Sequence, residues 1–326
     1  MGDTICYAAL AYGASGQIEL PVMTVTTFNL ESIWNSYGKV LGLLLMIVLG
    51  VVFPQFHALS AYIQYLLMIM LFFAFLDIDI QPASFQRGVI WVVLANITVA
   101  FSAYWILRPF DLNLALAAFI TGIAPTAIAA PVIINFIHGQ VEYVVGAVLL
   151  SNVVMSLVLP VTLPFIVGGV VQISIGQVLE PVLITMFVPL ILARLANLLP
   201  QRTQSVIRRG KRFSFPLWLL ALFIMCSKAA DFLRNDVTAS ASAILSIALI
   251  SLVICIVNFV LGGLLGGERF RQESSQSLGQ KNNSFVIWIA LTFINPLVAM
   301  GPTFYILYHN LYNSWQIYRF ERRRSE

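Results

Sequence analysis

The residue whose type and position most strongly suggest chemistry is a lysine beside a strongly apolar segment. Residues 274–293 read SSQSLGQKNNSFVIWIALTF, so Lys281 lies in a polar stretch that meets an apolar one with no proline or glycine between them. A lysine inside a bilayer costs about 2.5–3.5 kcal/mol on insertion scales and is rarely retained without a partner. Two interpretations follow. Lys281 is held inside the membrane, or it extends to the surface from a short loop.

A second feature is a pair of prolines in another apolar segment, AAFITGIAPTAIAAPVIINFIHG. Pro125 and Pro131 each remove a backbone donor and clash with the preceding turn, so their spacing predicts a helix opened into two halves. Gly279, within SLGQKNN, predicts a similar interruption beside Lys281. A packing kink, which is common in membrane helices, is the alternative for each proline.

The composition places both features in a membrane protein. The chain has 326 residues, of which 60% are apolar and only 10% charged, with a mean hydropathy of +0.90. A soluble domain carries about a quarter charged residues, so the sequence predicts an integral membrane protein with helical spans. The cysteines lack metal or redox spacing, and no nucleophile–base, HExxH, Walker or dinucleotide motif occurs in a plausible setting. No metal, cofactor, enzymatic activity or nucleic-acid partner is therefore predicted.

Apolar windows and basic residues together predict the topology. The windows, each near the length that crosses about 30 Å of hydrocarbon, lie at residues 35–54, 58–76, 88–107, 112–137, 141–169, 175–199, 214–233 and 239–264, with a further apolar run at 285–308. Ten spans, but not nine, place the basic clusters at 202–212, 269–271 and 319–324 on one face, which is the cytoplasmic face by the positive-inside rule. Part of the polar run at 274–284 must then enter the membrane, where such backbone is tolerated if protein buries it.

The predicted fold class is all-α, with ten transmembrane helices arranged as two inverted five-helix repeats. The predicted segments are an N-terminal segment 1–29, a first repeat 30–170, a second repeat 171–318 and a basic cytoplasmic tail 319–326. Both termini are expected on the cytoplasmic side of an inner or plasma membrane. Inversion places interrupted helices at the fourth and ninth spans, where the prolines and Gly279 lie. Asn152, in the fifth span, is expected to stabilise helix packing or to donate a hydrogen bond to the interrupted fourth span.

Several motifs resemble the bile acid:sodium symporter family. They are MLFFAFLDIDIQPASF at 70–85, GIAP before the first interruption, SLVLPVTLPFIVGG, LGQKNNSF, INPLVAMGP and HNLYNSWQIY at 309–318. The resemblance covers about residues 35–318, and the His-Asn pair before an aromatic-rich end is its most specific element. It implies a panel domain and a core domain, with the interrupted helices crossing in the core. It also implies transport of organic anions such as bile acids, pantoate or pyruvate, usually with sodium.

The resemblance further implies roles for individual residues. Asn282 matches a family asparagine beside the crossing and His309 a histidine that faces the cavity, so both are predicted, with Lys281, to contact the substrate. The family's sodium ligands are a Ser-Asn pair, two hydroxyl residues, a glutamate and a glutamine. The corresponding positions here hold Ala130, Pro131, Val144, Val148, Ser277 and Lys281. Sodium needs several oxygen donors, so neither family sodium site is expected to survive.

Lys281 itself provides a substitute for the missing ion. Its ammonium carries the charge of sodium and three hydrogen-bond donors, so it either acts as a fixed counter-charge for an anionic substrate or serves as a protonation switch. The predicted function is secondary active transport of an organic anion by alternating access, proton-coupled or uncoupled. The alternative is a non-transporting membrane sensor or structural protein that keeps the transporter fold. Membrane lipid is a further expected partner. The basic stretch 194–213 is suited to binding anionic lipid, although the positive-inside rule is the simpler account of its charge.

Overall fold

Long apolar runs fold into helices in this chain because a helix satisfies its own backbone hydrogen bonds where water is absent. The computed structural model describes residues 42, 45–78, 84, 86–167, 174–235 and 240–325. The predicted N-terminal segment 1–29 lies outside these residues. Within the described ranges every regular element is a helix, and the contacts reported below all lie within the unit Leu43–Glu326.

Twelve α-helices follow a 3₁₀ helix at Pro54–Tyr62. They are α1 (Ile63–Phe75), α2 (Arg87–Leu107), α3 (Leu112–Ile123), α4 (Ala130–Phe136), α5 (Val141–Val167), α6 (Ile175–Asn197), α7 (Gln201–Arg209), α8 (Ser214–Asn235), α9 (Ala241–Leu265), α10 (Arg271–Gly279), α11 (Asn283–Phe293) and α12 (Pro296–Ser325). A second 3₁₀ helix, Gly210–Phe213, joins α7 to α8. The last helix includes most of the stretch that the sequence assigns to a basic tail.

Six helical segments of the described chain are long and apolar enough to cross a membrane. These segments are Pro54–Phe75, Arg87–Leu107, Val141–Val167, Ile175–Asn197, Gln201–Asn235 and Ala241–Leu265, and two shorter apolar helices are Leu112–Ile123 and Asn283–Phe293. The predicted windows at 88–107, 141–169, 175–199, 214–233 and 239–264 are confirmed, since helices begin and end within a few residues of each. The chain is a multi-pass integral membrane protein.

The two shorter apolar helices form the centre of the structure. Residues 115–123 of α3 are buried on every side, and so are residues 285–291 of α11. A helix that is apolar all round must be covered by other helices, and both of these join the largest hydrophobic cluster with α2, α5 and α12. The outer helices instead present apolar side chains such as Trp91 and Phe165, which are 59% and 76% exposed, as expected of surfaces that face lipid.

The polar run before Lys281 is also buried within the protein. Residues 273–281 comprise α10 after its first two residues and the start of the following link, and each is buried. This arrangement agrees with the prediction that part of the polar run is enclosed by protein.

At one end of the bundle Asp77, which follows α1, accepts a hydrogen bond from Arg208 at 2.9 Å and pairs with Lys211.

Candidate functional site

The first interruption lies between α3 and α4. Helix α3 ends at Ile123 and α4 begins at Ala130, so Pro125 occupies the non-helical link. Pro131 lies in the first turn of α4, where its missing N–H costs no helical hydrogen bond and its fixed φ favours the helical conformation. The prolines therefore have different roles: Pro125 lies in the link itself, and Pro131 begins the next helix.

The second interruption lies between α10 and α11, and the two links pair with each other. The Ala127 N–H donates to the Gln280 carbonyl at 2.8 Å, and the Asn282 N–H donates to the Pro125 carbonyl at 2.8 Å. These bonds form an isolated antiparallel bridge centred on Thr126 and Lys281. Each link thus satisfies backbone groups that the other leaves free, which is the condition for irregular backbone inside a membrane protein.

Side chains from neighbouring helices satisfy further groups of the first link. The Thr126 N–H donates to the Ser151 hydroxyl at 3.0 Å, and the Asn152 amide donates to the Thr126 carbonyl at 3.0 Å. Of the two roles expected of Asn152, helix packing and a hydrogen bond to the interrupted segment, the structure shows the hydrogen bond. The Thr126 hydroxyl in turn donates to the Ser277 carbonyl at 2.6 Å, joining the first link to α10.

Gly279 is the last residue of α10, and its small size matters for packing. A Cβ atom at this position would lie 2.3 Å from a ring carbon of Phe259 on α9. Its carbonyl accepts a hydrogen bond from the Tyr305 hydroxyl at 2.7 Å, and that hydroxyl lies 3.2 Å from the Asn258 amide that donates to it. Gly279 therefore allows α9 to approach the interruption closely, and α12 satisfies its carbonyl group.

Lys281 extends from the second link to the carboxyl end of α3. Its ammonium donates to the Gly122 carbonyl at 2.9 Å and to Oδ1 of Asn96 on α2. The residue is only 2% exposed, so the interpretation that it extends to the surface from a loop does not fit the structure. A cation is favourable at this position because the carboxyl end of a helix carries partial negative charge.

Asn96 is a site residue that the sequence analysis missed. Its amide nitrogen donates to the carbonyls of Ile123 and Ala124, at 3.3 and 3.0 Å, while its oxygen accepts from Lys281. Asn96 thus satisfies two carbonyls at the carboxyl end of α3 and also accepts a hydrogen bond from the ammonium. The available signal was a single asparagine in the apolar window 88–107, because an intramembrane amide usually faces protein.

The positions that match the family's sodium ligands are packed rather than open. Ala130 and Val144 are fully buried in one apolar cluster, and Val148 is fully buried in another. Pro131 is half-buried in the first turn of α4, and Ser277 is buried with its carbonyl bonded to Thr126. Alanine, valine and proline side chains bring no oxygen toward a cation, and Lys281 supplies a positive charge nearby.

A cavity of about 260 Å³ lies beside the paired links. Lys281, Asn282 and His309, which the sequence predicts as substrate contacts, all line it, together with Asn283 and Gln280. His309 is buried, and its Nδ1 lies 3.5 Å from the Asn283 amide nitrogen. The ammonium of Lys281 is bonded to the Asn96 side, so the cavity's polar surface comes chiefly from amides, the imidazole and backbone.

The opposite wall of the cavity is apolar. It includes Leu67 and Leu71 of α1 and Trp218 of α8, whose indole N–H donates to the Ser284 hydroxyl at 3.2 Å. The first turn of α11 also reaches the cavity, and the amino end of a helix carries partial positive charge. The cavity therefore combines an apolar wall with neutral donors and a helix amino end, a combination suited to a small anion with an apolar part.

Interrupted helices that meet inside a helical membrane bundle, with a polar cavity beside them, are a feature of secondary transporters. The family model described as the Sodium Bile acid symporter family matches residues 40–236. The chain belongs to this family, which is a family of membrane transporters. Comparison with curated proteins gave no match. The matched residues include the first interruption and Asn96, whereas Lys281 and His309 lie beyond them.

Proposed function

We propose that this protein is a secondary active transporter of a small organic anion, working by alternating access without sodium, with Lys281 in place of the ion. The observation that carries the proposal is the buried Lys281 ammonium at the Gly122 carbonyl. A tethered cation there neutralises the partial negative charge at the carboxyl end of α3. A mobile ion is then not needed to hold the two interruptions together.

The size of the cavity and its polar groups support a small organic anion as the substrate. A volume of about 260 Å³ is below the range of roughly 300–1,000 Å³ typical of sites for drug-sized ligands, so a short carboxylate fits better than a sterol-sized bile acid. Two buried amide oxygens of the lining, Oε1 of Gln280 and Oδ1 of Asn283, have no hydrogen-bond partner within the described part of the chain. Such groups favour a ligand that brings its own donors, for example a hydroxyl or amide group.

The proposed architecture has ten spans in two inverted repeats, residues 30–170 and 171–318, with both termini cytoplasmic. Support comes from the paired links, which fall in the fourth and ninth predicted spans, and from the clustering of basic residues on one predicted face. In alternating access the bundle containing the crossing would rock against the helices that form the apolar wall. The Asn96–Lys281 contact would move with the crossing as one rigid group.

The test is uptake of labelled short carboxylates, beginning with pyruvate, into proteoliposomes containing the full chain. We expect uptake that is unchanged when choline replaces sodium, because Ser277 is the one residue among the six ion-site positions whose side chain supplies an oxygen. Strict dependence on sodium would contradict the proposed role of Lys281. Absence of uptake and counterflow for every carboxylate tested would instead favour the non-transporting alternative.

Two variants separate the role of Lys281 from a general effect of losing a lysine. Lys281→Gln places at this position the residue that the family resemblance implies, and we expect uptake to fall by more than about tenfold, since roughly 1.4 kcal/mol changes an equilibrium tenfold and a charged hydrogen bond contributes more. Sodium should not restore it. Lys228→Gln is the matched control, because its ammonium also donates to a carbonyl in the bundle, that of Leu291 at 2.8 Å, away from the paired links.

A further inference from the structure

A second and larger cavity lies outside the site described above. It is a groove of about 700 Å³ between α9 and α12, closed at one end by the first turn of α10. Most of its lining is apolar, and several lining side chains point outward. Ile256, Val260 and Leu264 of α9 are 55%, 56% and 70% exposed, and Leu311 of α12 is 69% exposed. In a membrane protein these exposed side chains face lipid.

The length of the groove matches one leaflet. It runs along α9 from Leu252 to Leu264, which is about 18 Å at 1.5 Å per residue. Half of a hydrocarbon core of about 30 Å is close to this length. An acyl chain that lay in the groove would therefore extend from the membrane surface to near the bilayer midplane.

Two arginines stand at one end of the groove. Arg271 begins α10 and Arg319 lies near the end of α12, and both are exposed. The Arg319 guanidinium lies over the Trp315 ring, 5.2 Å from its centroid, so the charge is held above the apolar lining. The Arg271 stem packs beside α9 at Gly263, since a Cβ at that position would lie in van der Waals contact with Cγ of Arg271, at 3.7 Å.

Within the described part of the chain, no carboxylate pairs with either of these two charges. The nearest acid of α10, Glu273, is buried and accepts from the Gln140 backbone N–H at 2.7 Å. The groove thus presents an aliphatic surface of one leaflet's length, with two arginines at its end that have no ionic partner among the described side chains.

We infer that this groove is a binding site for an anionic phospholipid, with the phosphate between Arg271 and Arg319 and an acyl chain along α9. Trp315 lies where the glycerol region would be, a depth at which tryptophan is enriched in membrane proteins. A zwitterionic lipid would fit the apolar groove equally well but would gain less from the two arginines. Each basic residue near an anionic headgroup favours binding by about fivefold, so two predict a preference of about thirtyfold.

The experiment measures quenching of Trp315 by brominated lipid in nanodiscs that contain the full-length protein. The bilayer is one fifth phosphatidylglycerol in phosphatidylcholine throughout, and the bromines are carried either by the phosphatidylglycerol or by an equal amount of the phosphatidylcholine. The difference between the protein and its Trp315→Phe variant isolates the Trp315 signal. We expect brominated phosphatidylglycerol to quench this signal several-fold more strongly.

Three variants make the result specific to the groove. Arg271→Gln/Arg319→Gln should abolish the preference, and Arg271→Lys/Arg319→Lys should retain it. Arg202→Gln/Arg209→Gln is the matched control, since it removes two exposed charges from α7, and it should leave the preference unchanged. Elution in gel filtration checks that each variant is folded.

Three outcomes would overturn the inference. Equal quenching by both lipids would mean that the groove holds bulk lipid only. Loss of the preference in the α7 control as well would assign it to the general basic charge of that face. A dimer in which Trp315 is shielded from both brominated lipids would show that a second copy of the chain covers the groove.

Discussion

Asn96→Ala removes two neutral hydrogen bonds, to Ile123 and Ala124, and the acceptor for the buried Lys281 ammonium. Neutral side-chain hydrogen bonds in membrane proteins average about 0.6 kcal/mol each. A bond to a charged group contributes about 1.5–3 kcal/mol. We therefore expect the substitution to lower the free energy of unfolding by about 3–4 kcal/mol. This is a large loss, because the ammonium would retain only the Gly122 carbonyl among its described partners.

A double-mutant cycle isolates the charged contact. In a Lys281→Met background, Asn96→Ala removes only the neutral bonds and should cost about 1 kcal/mol. The coupling energy between the two residues is then about 1.5–3 kcal/mol. Equilibrium unfolding by sodium dodecyl sulfate in mixed micelles, followed by tryptophan fluorescence and helical circular dichroism, measures each free energy.

A second cycle provides the control. Thr185 on α6 is also buried and accepts a hydrogen bond from Gln64 at 3.0 Å, but it has no described contact with the paired links. The changes in the free energy of unfolding caused by Thr185→Val and by Lys281→Met should be additive within about 0.5 kcal/mol. A coupling of less than about 0.5 kcal/mol between Asn96 and Lys281 would refute the conclusion that these groups form a desolvated charged contact.

Three further predictions concern the surroundings of the site. Gly279→Ala should lower the free energy of unfolding by about 1–3 kcal/mol, because its Cβ would lie 2.3 Å from the Phe259 ring. Adding Phe259→Leu should recover part of that loss in the same unfolding assay, and no recovery would show that the strain lies elsewhere. Tyr305→Phe removes the hydroxyl that donates to the Gly279 carbonyl, and should lower the free energy of unfolding by about 0.6–1.7 kcal/mol. An unchanged unfolding midpoint would show that another group replaces the hydroxyl. Asp77→Asn should lower the free energy of unfolding by less than about 1 kcal/mol, and by less still in high salt, because the Asp77–Arg208 ion pair is exposed. A loss of stability that does not depend on salt would contradict this expectation.

The class of protein and the existence of most helices follow from the amino-acid sequence alone. Apolar windows about as long as a hydrocarbon core is thick leave the backbone no alternative to helix, so the predicted spans near 88–107 and 175–199 agree with α2 and α6 to within a few residues. Proline chemistry likewise indicated an interrupted fourth span. The sequence does not define where that interruption begins and ends, because a proline such as Pro131 can end one helix or begin another.

The contacts of each interruption, in contrast, depend on how the helices pack. The partners of the first link are Ser151, Asn152 and the backbone of a second link more than a hundred residues away. Hydrogen bonds between residues so far apart in the sequence leave no periodic pattern in it. From the sequence, Asn96 is therefore only a polar residue in an apolar window. Sequence could place a positive charge at Lys281, but which carbonyl receives it depends on how the helices pack around the crossing.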